Sequence, residues 1–146
     1  MHAALLVTHS IVRWAVLALA LLALVRALGG VARHRAWARA DRRSLALFVG
    51  VLDLQFLLGV LLFAVSPITR AAMHDVGAAM RQPDLRFFLV EHPLTMLAAI
   101  AVAHAGNVIV KRAPLDDIRF RRAAITVALS LGLVLAGIPW SRLGTG

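Results

Sequence analysis

Apolar residues along this chain fall into four long blocks that are separated by polar segments. The blocks lie at about 4–28, 44–65, 86–110 and 123–140. A bilayer core of roughly 30 Å is crossed by about 20 apolar residues in a helix, so every block is long enough to span a membrane. Lipid offers no hydrogen-bond partner to the backbone, which makes each span helical. The pattern predicts an all-α integral membrane protein, with one four-helix bundle as its single domain over residues 1–146.

Basic residues concentrate in two of the three segments that join these spans. The segment after the first span holds Arg33, Arg35, Arg39, Arg42 and Arg43, and the segment after the third span holds Lys111, Arg112, Arg119, Arg121 and Arg122. Short cytoplasmic loops of membrane proteins carry an excess of Lys and Arg. We therefore expect both basic loops in the cytoplasm and both termini outside.

The overall composition agrees with a membrane protein. Hydrophobic residues make up 61% of the chain, which leaves no room for a separate soluble domain. The net charge of +9 suggests nucleic acid as a partner, but loop arginines at the membrane surface explain it fully and favour contact with anionic lipid instead. The chain has no cysteine, which excludes disulfides, thiolate metal sites, c-type haem attachment and iron–sulfur ligation.

Local signals place the ends of the first two spans. Gly29 and Gly30 follow the first apolar block and predict its stop. Asp41 or Ser44 is the expected N-cap of the second span, because both side chains can accept a backbone hydrogen bond.

The third span and the segment before it carry three further signals. The external loop, about 66–85, contains AAMHDVGAAMR, which predicts a short interfacial helix. Asp84 follows Pro83 and is the expected N-cap of the third span. Pro93 lies inside that span and cannot donate its backbone hydrogen bond, so we expect a kink there.

Two histidines occupy matching depths in different spans. His9 lies about five residues into the first span and His92 about six residues into the third, which places both some 7–10 Å below the outer boundary. Facing imidazoles can ligate a haem iron from both sides, and cofactors of helical bundles sit in the bundle core. We expect His9 and His92 to be axial metal ligands of one haem b, and the alternative is a pair of interfacial histidines bonded to water or headgroups.

Three neighbours of these histidines are candidate cofactor contacts. Arg13 lies one turn below His9 on the same face and needs an anion, such as a haem propionate or Glu91, or a quinone carbonyl, unless it snorkels outward. Arg86 is a second candidate for the propionates or an ordinary interfacial arginine. Met96, one turn below His92, is either a haem ligand or core filler.

Three more polar residues lie deeper in the second and third spans. Asp53 and His104 fall at similar levels and are expected to pair, either as a structural ion pair or as a step in a proton relay. Gln55 can bond a neighbouring helix or a quinone. Asp53 and Gln55 are two residues apart and point about 200° from each other, so they serve different sites.

Small residues are frequent in the later spans and allow close packing of helices or room for a flat macrocycle. They include Ala98, Ala99, Ala101, Ala103, Ala105, Gly106, Gly132 and Ala136, with Gly50 and Gly59 in the second span. The two halves of the chain also resemble each other weakly, which would make His9 and His92 near-equivalent in a parallel repeat.

Five short strings carry a resemblance that extends over nearly the whole chain. They are HSIVRW at 9–14, LDLQFLLG at 52–59, RFFLVEHPLTM at 86–96, AHAG at 103–106 and IPW at 138–140. The chain resembles small, largely uncharacterised bacterial four-span membrane proteins that are sometimes labelled cytochrome b-like. The resemblance implies the four-span fold, a bacterial inner membrane and, through the label, a bound haem. Dihaem cytochromes b instead hold two stacked haems with two histidine pairs, and here only one pair is level.

These observations favour a membrane b-type cytochrome that transfers electrons and exchanges them with quinol near Gln55 or His104. Two other functions stay open: a non-catalytic accessory or assembly subunit of a larger respiratory or photosynthetic complex, and a small proton-coupled carrier that uses Asp53 and His104 and acts as a homo-oligomer. Motifs of hydrolases and nucleotide enzymes do not occur in the sequence, and whether the protein is an enzyme stays open.

Overall fold

The computed structural model describes residues 1–140, and this part of the chain is helical without any strand. Its elements are α1 (His2–Arg33), α2 (Arg39–Val65), α3 (Pro67–His74), α4 (Val76–Arg81), α5 (Pro83–Arg86), a π-helical turn (Phe87–Glu91), α6 (His92–Lys111) and α7 (Asp116–Ala136). The predicted all-α class is therefore confirmed.

The four long helices pack as a bundle in which chain neighbours lie side by side. α1 contacts α2 and α7, and α6 contacts α7 and α2. α1 and α6 therefore lie diagonally across the bundle, on opposite sides of its axis. The contact between α2 and α6 is the least extensive of the four seams.

Three helical segments are long and apolar enough to cross a membrane: His2–Arg33, Arg39–Val65 and Pro83–Lys111. This makes the chain a multi-pass membrane protein and a lipid bilayer its surroundings. α7 falls short of the same criterion because even its last 18 residues contain three arginines, Arg119, Arg121 and Arg122. The fourth span and the orientation of the termini stay predictions.

Both basic loops lie at one end of the bundle, here called the basic end and comprising residues 34–38 and 112–115 with the adjoining helix ends. The Trp37 backbone N–H donates to the Asp116 carboxylate over 2.9 Å, and the Trp37 ring packs on Phe120 with ring centroids 4.8 Å apart. The placement of these loops together is the arrangement that a shared cytoplasmic side requires.

Small residues let the long helices approach each other closely. The buried face of α1 includes Ala20, Ala23 and Ala27, and that of α6 includes Ala99, Ala103 and Gly106. The Ser130 hydroxyl of α7 donates to the Ala99 carbonyl over 2.9 Å. The predicted close packing is confirmed at this face of α6.

Gly30 has a different role from the predicted helix stop. α1 runs through Gly29 and Gly30 and ends at Arg33, with His34 in the left-handed conformation as its C-cap. The Phe120 ring of α7 lies directly on the Gly30 backbone, where a Cβ would overlap it. The stop prediction is wrong because packing against α7 requires this glycine inside the helix.

The start of α2 depends on Asp41, but not as its N-cap. α2 begins at Arg39 after Ala38, and Asp41 in the first turn accepts from the Ala38 backbone N–H over 2.9 Å. The predicted cap at Asp41 or Ser44 is therefore wrong by several residues.

Two arginines also donate to this Asp41 carboxylate, which is only 2% exposed. Arg26 Nη2 lies 2.8 Å from one carboxylate oxygen and Arg35 Nη1 lies 2.6 Å from the other. These hydrogen bonds to Asp41 raise the pKa of Arg35 above its ordinary value, so the Arg35 guanidinium stays charged. The triad of Arg26, Arg35 and Asp41 therefore connects the first basic loop to α1 and to α2.

The third long segment begins two residues earlier than expected. Gln82, and not Asp84, is the N-cap of α5. The predicted irregularity near Pro93 takes the form of the π-helical turn Phe87–Glu91, which ends just before α6. A π turn suits this position because Pro93 has no N–H and its ring crowds the carbonyl four residues earlier.

The external loop folds into two short helices, α3 and α4, where one was predicted. The Asp75 side chain divides them, since it accepts from the Ala78 backbone N–H over 2.8 Å and caps α4. Met73 and Val76 project from the loop and are more than half exposed, as expected for an interfacial segment.

Candidate functional site

His9 and His92 meet inside the bundle although their helices lie diagonally across it. Their ring centroids are 6.4 Å apart and the ring planes make an angle of 69°. α1 and the α5–α6 segment bring them together because the two helices run in the same direction and each carries its histidine near the end remote from the basic loops. The structure thus places the two residues next to each other, at one level.

His92 is held by a backbone carbonyl at the far end of α7. Its Nδ1 lies 2.7 Å from the Gly137 oxygen, and only a protonated Nδ1 can donate to a carbonyl. In the neutral imidazole Nε2 then carries the lone pair, which is the arrangement of a metal-ligating histidine. The Phe87 ring packs on the same imidazole with centroids 5.9 Å apart.

His9 is held by α2. The Gln55 amide nitrogen donates to the His9 carbonyl over 3.1 Å and lies 3.1 Å from His9 Nε2. Gly59 backs the ring, since a Cβ there would be 3.5 Å from His9 Cε1. The other ring nitrogen, Nδ1, is buried and has no hydrogen-bond partner in the described part of the chain. Gln55 therefore forms an interhelical hydrogen bond, which is one of the two roles predicted for it from the sequence.

Arg13 adds a positive charge beside the two histidines. Its guanidinium interacts electrostatically with both imidazoles, and its carbon Cζ lies 5.7 Å from the centroid of the Trp14 ring. Among the described residues, neither Arg13 Nε nor the side-chain amide oxygen of Gln55 has a hydrogen-bond partner, and both atoms are buried. His9, Arg13, Gln55 and His92 are here called the histidine cluster. Together with His9 Nδ1, three buried polar atoms of this cluster have unused hydrogen-bonding capacity. Such groups usually have partners, so their clustering marks a place for ordered water or for a polar or charged ligand.

Two further candidates lie at the edge of this cluster. Arg86 Nε donates to the Glu91 carboxylate over 2.6 Å, and both side chains are close to half exposed, so Arg86 has its own counter-ion and Glu91 is not the partner of Arg13. Met96 packs its terminal methyl against the backbone of Gly137, where a side chain could not fit. In this arrangement Met96 fills space between α6 and the end of α7.

His104 lies apart from the cluster and pairs with Asp53, as predicted. His104 Nε2 is 2.8 Å from an Asp53 carboxylate oxygen across the α2–α6 seam. The two side chains are 53% and 40% exposed. Gln55 and Asp53 indeed serve different places, since Gln55 faces α1 and Asp53 faces α6.

The donor set restricts which metal the cluster can hold. Within residues 1–140 no group of three or more His, Asp or Glu side chains is placed to bind a metal ion. Two imidazoles alone suit a metal whose remaining ligands come from a cofactor, as in haem. Comparisons with family models, curated proteins and solved structures gave no match, so the candidate site depends on its geometry alone.

Two contributors to the cluster were missed at the sequence level. The Gly137 carbonyl, which orients His92, is a backbone group, and a backbone acceptor has no signature in the side-chain pattern. Gly59 was noted as a small residue, but its contact with His9 depends on the rotation of α2 relative to α1.

Proposed function

We propose that the protein is a membrane electron-transfer protein of the b-type cytochrome class, in which His9 and His92 would hold one haem b near the outer face. The observation that carries this proposal is the pair of facing imidazoles, contributed by two helices across the bundle axis.

The residues present fit such a group. Imidazole nitrogens bind transition metals at about 2 Å, so two rings on one ion have centroids roughly 6 Å apart. The observed separation is 6.4 Å. His92 offers Nε2 because Gly137 fixes Nδ1. His9 would offer Nδ1, the buried ring nitrogen that has no hydrogen-bond partner within residues 1–140.

The surrounding residues supply charge balance and position. Arg13 has a buried N–H without a partner and would donate it to a propionate. The group itself supplies reversible one-electron chemistry when bound. The chain itself fixes the orientation of His92 and positions His9 through its hydrogen bond with Gln55. It also surrounds the pair with largely apolar side chains that limit the access of bulk water.

We further propose the four-span arrangement for this function, with α7 as the fourth span, both termini outside and the protein in a bacterial inner membrane. The meeting of both basic loops at one end supports this orientation. The histidine pair then lies toward the outer face.

An absorption spectrum tests the proposal directly. The full chain, expressed in haem-replete cells and purified in detergent, should show a Soret band and redox-sensitive α and β bands with about one haem per chain. His9→Ala and His92→Ala should each abolish or strongly shift these bands. His74→Ala is the matched control, because His74 is exposed in the external loop, and should leave them unchanged. A colourless, folded protein would refute the haem proposal, as would bands that survive both substitutions.

A second candidate is a quinone head group in the same cluster. It is favoured by the hydrogen-bond pattern, since a Gln55 amide that donates to His9 Nε2 leaves Nδ1 as an N–H donor next to the Arg13 Nε–H. Two unused donors suit the carbonyl oxygen of a quinone. A short-chain quinone should then bind the colourless protein, and His9→Ala should weaken it while His74→Ala does not. Equal binding to the two variants would exclude this site.

A further inference from the structure

A groove opens between α2 and α6 at the basic end, where these two helices make their least extensive contact. Its volume is about 250 Å³. The residues that line it are Trp37, Arg42, Leu45, Ala46, Asn107, Val110, Lys111 and Arg119. It lies on the opposite end of the bundle from the histidine cluster and shares no residue with it.

The charge of this groove is unbalanced. Three cations and no carboxylate are among its lining residues. Arg119 is already engaged, since it donates to Asp116 and to the Ala113 carbonyl, both over 2.9 Å. Arg42 and Lys111 have neither an ion pair nor a side-chain hydrogen bond within residues 1–140.

Arginines without a partner are common at the basic end, since Arg39, Arg43 and Arg112 also have no side-chain hydrogen bond or ion pair within residues 1–140, so position is what sets Arg42 and Lys111 apart. Arg26 and Arg35 share Asp41, and Arg122 donates to the Ile109 carbonyl over 3.1 Å. Arg42 and Lys111 instead stand on opposite walls of one groove, one near the start of α2 and the other at the last residue of α6. A single anion between them would be attracted by both helices at once.

The rest of the lining shows what kind of anion fits. Leu45, Ala46 and Val110 continue the groove along the apolar part of the helices, and Asn107 adds an amide next to them. The groove therefore has a cationic mouth and an apolar floor, in which Leu45 and Val110 are almost fully buried and Ala46 is exposed. This combination matches an amphiphile with a phosphate at one end, and basic pockets between membrane helices are known sites for anionic headgroups.

We propose that this groove binds the phosphate of an anionic phospholipid, with Arg42 and Lys111 as its two cationic contacts and an acyl chain along Ala46, which is exposed, above the nearly buried Leu45 and Val110. Lipid bound there ties α2 to α6 at the seam where the protein itself makes least contact. The phosphate chemistry would also attract soluble phosphate, but inorganic phosphate cannot use the apolar floor.

Retention of phosphatidylglycerol by the purified full chain tests this proposal. Native mass spectrometry from mixed phosphatidylglycerol and phosphatidylcholine micelles would count bound lipids. The Arg42→Gln/Lys111→Gln double variant should lose affinity for phosphatidylglycerol by about fivefold for each cation removed. The matched control is Arg43→Gln/Arg112→Gln, which removes the same charge from adjacent positions outside the groove and should retain the lipid.

Two further arms make the outcome decisive. Ala46→Trp fills the groove without a change of charge and should also reduce phosphatidylglycerol binding, which tests the site even if the double variant does not fold. Inorganic phosphate in excess should displace little lipid. Equal losses in the groove and control variants would overturn the proposal in favour of diffuse surface charge. Full displacement by inorganic phosphate would show a plain anion site instead.

Discussion

Polar side chains inside the bundle fall into two groups. Some form hydrogen bonds within the chain, and others have a polar atom without a hydrogen-bond partner among the described residues. Ser130 and His92 each find a backbone carbonyl on a neighbouring segment. His9 Nδ1 and Arg13 Nε have no hydrogen-bond partner anywhere in residues 1–140. A buried polar group without a partner costs about 1–3 kcal/mol, so the second group marks the place where a ligand would gain most.

Gln55 is the residue whose removal tests how α1 is tied to α2. Gln55→Leu removes its hydrogen bond to the His9 carbonyl and its contact with His9 Nε2. We expect a loss of about 1 kcal/mol in the free energy of unfolding, since interhelical hydrogen bonds in membranes are worth roughly 0.6–2 kcal/mol. Unfolding in mixed micelles measures it. Gln82→Leu, an exposed control, should change little, and an equal loss in both would contradict the role of Gln55.

Asp41 should be far more sensitive to substitution than an exposed aspartate. Asp41→Asn leaves Arg26 and Arg35 with a neutral partner in a nearly buried position. Because the two guanidinium groups are about one third exposed, we expect a loss of about 1.5–3 kcal/mol in the free energy of unfolding, the range for hydrogen bonds to charged groups. Asp117→Asn is the matched control, because Asp117 pairs with His34 at the surface, and exposed pairs contribute about 0–1 kcal/mol. Similar unfolding free energies for the two variants would show that the ion pairs of Asp41 contribute no more to stability than an exposed pair.

At the scale of helices, glycines decide how closely α1 and α7 approach. Gly30→Ala places a methyl where the Phe120 ring lies, whereas Gly29→Ala next to it meets open space. We expect Gly30→Ala to destabilise the bundle by about 1–3 kcal/mol and Gly29→Ala to be neutral or stabilising by up to about 1 kcal/mol. Thermal unfolding of the two variants side by side measures the difference. The opposite order would show that α1 and α7 do not pack as described.

The sequence predicted the helices well because apolar block length and charge placement are strong signals. It also predicted that His9 and His92 share a level and that Asp53 pairs with His104, since depth follows from residue counting along a helix. It did not predict helix ends, because Gly30 reads as a stop unless the Phe120 ring is known to need its space.

The partners of the two histidines could not be read from the sequence either. Whether Gln55 faces α1 or a ligand depends on the rotation of α2, and counting along one helix fixes depth but not rotation relative to a neighbour. The Gly137 carbonyl became an acceptor only because α7 ends beside His92. Sequence patterns carry no record of such contacts between distant backbone and side-chain groups.

At the scale of the whole molecule, the orientation in the membrane can be tested with single cysteines because the chain contains none. His74→Cys in the external loop should react with a membrane-impermeant maleimide on intact cells. Arg43→Cys at the basic end should react only after the cells are permeabilised. Labelling of Arg43→Cys on intact cells would reverse the proposed orientation and place the histidine cluster toward the cytoplasm.

The two imidazoles come from opposite hairpins of the bundle, His9 from the first and His92 from the second. Neither hairpin alone has the pair, so occupancy of the site reports that the halves have docked in register. Any molecule that binds both rings would link the two hairpins. By mass action, it would raise the free energy of unfolding as its concentration rises. The amount of such a molecule in the cell would then determine how much of this protein stays folded and escapes degradation.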